Sequence, residues 1–185
     1  KSRIVAGYCW NWTKESKNNP NIHDITIDEF DFKMSWNLGN TETWAIDENS
    51  VNEAGCIHTC QGLEFDYVGV IIGDDLYFQD GQVKTDYKKR ARTDSSLKGL
   101  NSLLKQDPER ALQLADRIIR NTYRTLLTRG QKGCFVFCTD KNLSAYLKSR
   151  LKGQQRVTYQ LYASQSKQHS KLLAAEGKAD YKVDR

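Results

Sequence analysis

The segment DYVGVIIG, Asp66 to Gly73, is the most continuous apolar run in the chain. It is too short for a buried helix and ends on glycine, so it reads as a strand covered on both faces, the kind that lies centrally in a parallel sheet. IVAGY, Ile4 to Tyr8, is a second such run, and CIHT before the QGLEF turn is strand-like. From Pro108 the pattern changes period. In PERALQLADRIIRNTYRTLLTRG, Leu112, Ala115, Ile119, Thr122 and Leu126 recur at helical spacing, with Pro108 suited to the first turn and Gly130 to a left-handed end. CFVFCTD then predicts another buried strand, and Asp140 caps a helix over KNLSAYLKSRL. Strands alternating with helices predict an α/β domain with a mostly parallel sheet flanked by helices. HDITIDEFDFKMSW, in which Ile25, Ile27, Phe30 and Phe32 alternate with acidic residues, predicts an inserted β-hairpin. Ligands of such sheets gather outside the carboxyl ends of the strands, where HTCQGLE and TRG are expected to meet.

The chain's 185 residues suit one domain, and 38% hydrophobic with 28% charged residues describes a folded globular chain. No run approaches the roughly 20 apolar residues of a membrane span and no basic-then-apolar leader opens the sequence, so a cytoplasmic location is expected. Two C-x3-C pairs, Cys56 with Cys60 and Cys134 with Cys138, have a spacing that zinc sites use, with His58 inside the first. Each pair falls in or beside a β-rich run, where buried reduced thiols are the simpler reading, so no metal is expected. Trp36 and Trp44 beside strand patterns are read as packing groups rather than base-stacking platforms. Residues 141–185 hold 10 Lys and Arg against 3 Asp and Glu, whereas residues 1–140 are slightly acidic. That basic tail, together with the cluster Lys84, Lys88, Lys89, Arg90 and Arg92 in a surface excursion closed by a DG turn, suits contact with phosphates.

IHTCQGLEFDYVGVIIG resembles motif V of superfamily 1 helicases, and NTYRTLLTRG resembles their motif VI. RIVAGYCW, KMSWN, GCIHTCQGLEFDYVGVIIG, RARTDSSLKGL and NTYRTLLTRG follow one another as in the Schlafen group III-like DNA/RNA helicase domain, over roughly residues 1–150. The resemblance implies the second RecA-like domain of an ATP-driven motor; residues 151–185 lie outside it and read, from their composition, as a basic extension with one strand at most. No G-x-x-x-x-G-K-[ST] occurs, so the phosphate loop and the magnesium carboxylate would belong to an N-terminal RecA-like domain of the same polypeptide.

By the same resemblance Arg129 would be the arginine finger, Glu64 would meet the nucleotide ribose, and Gln61 and Gly62 would shape the turn toward the ligand. Arg124 and Arg3 would be secondary nucleotide contacts. His58 and Thr59 would touch the backbone of DNA or RNA, most simply single-stranded, together with Lys88, Lys89, Arg90 and Arg92. ATP and Mg2+ are then the cofactors of the longer protein, with none held by this fragment alone. Taken singly, each residue has a plainer role: TRG suits a helix end, Glu64 a solvated acid, His58 a half-buried strand residue. A RecA-like module that binds nucleic acid or protein without hydrolysis is the alternative function.

Overall fold

The computed structural model describes residues 1–11, 15, 19, 21–38 and 43–151. The chain divides into two compact units, Lys1–Ser144 and Ala145–Arg185. The predicted strand after Gly153 and the rest of the basic tail lie outside the described residues.

In the first unit β1 (Ser2–Ala6) lies inside a six-stranded sheet, flanked by β4 (Glu53–Gly55) and β5 (Phe65–Ile72), both parallel to it. Ile4 faces Ala54 on one side and Gly69 on the other. Outside β4 come β3 (Phe32–Trp36), parallel, and then β2 (Ile25–Ile27), antiparallel to β3; β8 (Gly130–Cys138) lies parallel to β5 at the opposite edge. DYVGVIIG is thus an interior strand, as its continuous apolar character requires, and the acidic alternating segment does form a hairpin. The fold is mixed α/β with a mostly parallel sheet flanked by helices.

CIHT is not a strand. Ile57–Cys60 is a short helix, α1, and the strand before it is Glu53–Gly55. Its first turn closes because Thr59 Oγ1 accepts from Cys56 N at 2.9 Å and the Cys56 thiol faces the N3 position, a capping arrangement with a thiol where serine is usual.

β5 exits into an excursion made of the hairpin β6 (Leu76–Gln79) and β7 (Gln82–Thr85) and two 3-10 turns. Asp80 and Gly81 form its two-residue loop with φ of 54° and 76°, the doubly left-handed turn that Asp-Gly favours. α2 (Leu100–Gln106) packs on α3 (Pro108–Leu127). Asp107 caps α3 by accepting from Arg110 N at 3.0 Å, and Pro108 fills the first turn. Ala111, Ala115, Ile119, Thr122, Tyr123 and Leu126 form its buried stripe; Ala111 and Ala115 pack with Leu100 of α2, and the helix also meets β5 and β8. Leu112 is not part of it; one position beyond Ala111, it is half exposed on the outer side.

Two further expectations change. α3 ends at Leu127 without a left-handed glycine: Thr128 N and Arg129 N bond to Thr125 O and Leu126 O, and Gly130 begins β8. β8 is not buried, because as the last strand it leaves Cys134, Phe135 and Val136 exposed, Phe135 at 66%. Trp36 and Trp44, each 1% exposed, are packing residues. Cys56, Cys60 and Cys138 are buried. α4 (Lys141–Leu151) starts on the Asp140 cap, whose carboxylate accepts from Asn142 N and Leu143 N. No helix among the described residues is long and apolar enough to cross a membrane.

Candidate functional site

The two segments expected at the carboxyl ends of the strands meet at the opposite end. The connection from β4 through α1 returns across β1 to start β5, so the QGLE turn lands at the amino end of β5. α3 runs back in the same sense and delivers Arg129 to the amino end of β8. Phe65 N donates to Arg129 O at 2.8 Å, and Phe65 pairs with Gly130. Gly62, with φ of 80°, makes the turn that lets the chain reverse here.

At this end Arg129 is half-buried. Its Nε donates to Thr125 O at 3.0 Å, Nη1 to Leu63 O at 3.3 Å and Nη2 to Thr128 Oγ1 at 3.4 Å. These contacts fix the plane of the guanidinium, and each terminal nitrogen keeps an N–H unclaimed by any described residue. Glu64 stands next to Leu63, exposed, with its carboxylate held by Gln131 Nε2 at 2.7 Å. Gln131, two residues past Arg129, was not singled out in the sequence; no side-chain pattern marks it, since the contact depends on the β5–β8 register. Buried Cys60 lies close enough to feel Arg129. Burial and the neighbouring Cys56 push its thiol up to about 12, with the Arg129 charge pulling the other way. Gln61 is exposed on the turn. Arg124 is exposed on α3, and its guanidinium meets no partner among the described residues.

Arg3 does not belong to this site. It is buried, with Nε on Ser50 Oγ at 2.7 Å, Nη1 on Ser2 O and Nη2 on Asp47 O, and its guanidinium lies 6.0 Å from the Trp44 ring centroid. Its donors tie the 3-10 turn Glu48–Asn52 to β1, leaving no face for a ligand.

The remaining positions gather at the carboxyl end. Tyr8, just past β1, stacks edge-on with Trp36 at 4.6 Å and with exposed His58 at 5.9 Å, while Tyr8 O accepts from Ala91 N at 2.7 Å. Lys88, Lys89 and Arg92 are exposed here, and none of them pairs with a carboxylate among the described residues. Arg90 differs from them. It is buried between Asp75 (3.2 Å) and Asp94 (2.6 Å), so no phosphate can reach its guanidinium. Thr59 is likewise withdrawn: 2% exposed, its hydroxyl is spent on Cys56 N and O.

Arg129 and Glu64 thus lie at one end of the sheet, and the exposed Lys88, Lys89 and Arg92 at the other. Residues 1–140 match the Schlafen group 3, DNA/RNA helicase domain. The chain belongs to this family. The chain is also similar to the uncharacterized protein YPL245W of Saccharomyces cerevisiae, 27% identical over 115 residues that cover 60% of this chain and 24% of that protein. The chain thus spans about a quarter of the length of this relative. No solved structure matches it.

Proposed function

We propose that this domain is the second, RecA-like half of an ATP-driven helicase or translocase, acting with an N-terminal RecA-like domain of the same polypeptide on single-stranded DNA or RNA. The observation that carries this reading is the convergence of Arg129 and Glu64 at the amino ends of β8 and β5, reached from segments more than sixty residues apart. The pair fits the edge of a nucleotide: a carboxylate suits ribose hydroxyls, and a guanidinium with spare N–H groups suits phosphate. Gln61 and Gly62 shape the approach, and Arg124 is an exposed reserve cation near the end of α3. ATP with Mg2+ supplies the cleavable phosphoanhydride, gripped by the other domain, because this chain carries no phosphate loop.

Arg129 presents a fixed charge toward the facing domain, so the site is complete only when the two halves close. Its own helix end and Leu63 O hold it in place, which limits the reorganisation needed on closure. His58, Lys88, Lys89 and Arg92 form the surface for the nucleic-acid backbone.

The test is Arg129→Ala in the full-length protein. Turnover of ATP in the presence of single strands should fall by about 10³ to 10⁵, the range reported for arginine fingers, while nucleotide affinity changes little. Unchanged turnover overturns the assignment. Absence of any ATP turnover in the unaltered protein favours the non-hydrolysing binding module instead.

A further inference from the structure

One buried cluster is used by neither end of the sheet. Tyr123, on the inner face of α3, donates its hydroxyl to Asp75 and accepts from Gly73 N at 3.0 Å. Asp75, wholly buried just beyond the exit of β5, takes Arg90 Nη1, and Arg90 Nε reaches Asp94 at 2.6 Å. Cys9 Sγ lies 3.8 Å from the same hydroxyl, and Asp75 O accepts from Asp86 N. The exits of β1 and β5, the basic loop and α3 therefore share one polar knot.

Stability alone does not call for such a knot. A buried ion pair loses much of its Coulombic gain to desolvation, and apolar residues of similar volume often serve as well or better. What the polar version adds is direction: each hydrogen bond fixes one segment relative to another, and the knot breaks in discrete steps instead of deforming smoothly. Its two outer members have functional neighbours. Arg90 lies between Lys89 and the exposed Arg92, in the loop offered to the nucleic-acid backbone. Tyr123 lies about one helical turn before the end of α3, which delivers Arg129. No glycine or proline interrupts the helix between them.

We infer that Tyr123, through Asp75 and Arg90, is a positioning residue that makes the placement of Arg129 depend on nucleic acid seated on the basic loop. This rests on the function proposed above and adds the route by which a strand at one end stimulates hydrolysis at the other. A strand drawn onto Lys88, Lys89 and Arg92 shifts the loop, Arg90 carries the shift to Asp75, and the Tyr123 hydroxyl passes it to α3. The group that matters is the hydroxyl, not the ring, which keeps its packing in phenylalanine.

The experiment compares the full-length protein with its Tyr123→Phe and Arg90→Lys variants. ATP turnover is measured alone and with saturating oligo-dT or oligo-U, alongside the affinity for each oligonucleotide. Tyr123→Phe should keep basal turnover, KM for ATP and oligonucleotide affinity, yet lose about 10- to 100-fold of the stimulated kcat, as expected for a displaced catalytic group. Arg90→Lys should lose a similar factor, and the double variant no more than either alone. Full stimulation in Tyr123→Phe, or losses that multiply in the double variant, overturns the inference while leaving the proposed function standing. An unaltered protein whose turnover no oligonucleotide raises overturns the proposed function and this route with it. Should a variant fail to fold, hydrogen exchange on the unaltered protein decides. Oligonucleotide binding should change protection of the amides of Gly73 and residues 124–130, and unchanged exchange there refutes the coupling.

Discussion

A methyl group added at Gly55 would sit 2.5 Å from Trp44 Cη2 and 2.8 Å from Thr59 Oγ1. Neither neighbour has room to yield, since Trp44 is closed in by Phe65, edge-on at 6.1 Å, and by the Arg3 guanidinium. Gly55→Ala should therefore cost about 1–3 kcal/mol, as overpacking of a tight core does, read as a lowered melting midpoint with a shift in tryptophan fluorescence. Cys60 gives a pH dependence. Burial first, then Cys56, hold its thiol up at about 12, whereas an unfolded thiol titrates near 8.5. A raised pKa means that the folded state keeps a proton that the unfolded chain releases. The contribution is complete below about pH 8.5 and fades as pH climbs toward 12, at up to about 1.4 kcal/mol per pH unit. Denaturant melts between pH 7.5 and 9.5 should show the decline, and Cys60→Ala should lessen it, with Cys9, whose thiol burial also raises, supplying part of the rest. The same scale shows where sequence reading stops. Arg90 and Arg92 are two residues apart in one basic cluster, yet one is closed between two aspartates and the other open to solvent. Asp94, four residues after Arg90, is a local partner, but the second closing carboxylate, Asp75, comes from another segment, and no local pattern marks it.

Among the elements, those with a strong local cause were legible in the sequence. β5 followed from its unbroken apolar run, the β6–β7 turn from Asp-Gly, and α3 from its stripe and its Pro108 start. Elements with a tertiary cause were not. CIHT reads as a strand by residue type, but a parallel crossover has to begin there, and four residues of helix begin it. CFVFC reads as buried, but its strand is the last of the sheet. The position of the candidate site failed to follow from the sequence for the same reason: which end of a strand a loop reaches depends on the crossovers, not on the loop. The cap of α3 offers a check on the local part. Asp107→Ala removes the acceptor for Arg110 N and should lower stability by about 0.5–2 kcal/mol in thermal melts. Because α3 also delivers Arg129, a loss of turnover larger than this destabilisation explains would show that fraying at Asp107 reaches the far end of the helix.

At the scale of the whole unit, the sheet separates two chemistries by the length of β5, whose eight residues extend over about 26 Å. Charges that far apart are screened from one another at physiological salt, where the Debye length is about 8 Å. A cation at the carboxyl end therefore cannot alter Arg129 through space, and any influence has to pass through packed structure. This separates two effects that are otherwise easily confused. Replacing Lys88, Lys89 and Arg92 together with alanine should reduce the slope of log affinity against log salt for a single strand by about 2, since each lost phosphate contact removes about 0.7. KM for ATP without nucleic acid should stay unchanged. Replacing Arg90, whose charge is already neutralised by Asp75 and Asp94, should leave the salt slope as it was even where it lowers stimulated turnover. Salt titrations of oligonucleotide binding on the two variants make the comparison directly. If the triple variant keeps the full slope, the nucleic acid lies elsewhere; if the Arg90 variant loses slope, its guanidinium leaves the aspartate pair to take a phosphate, and the loop rearranges on binding.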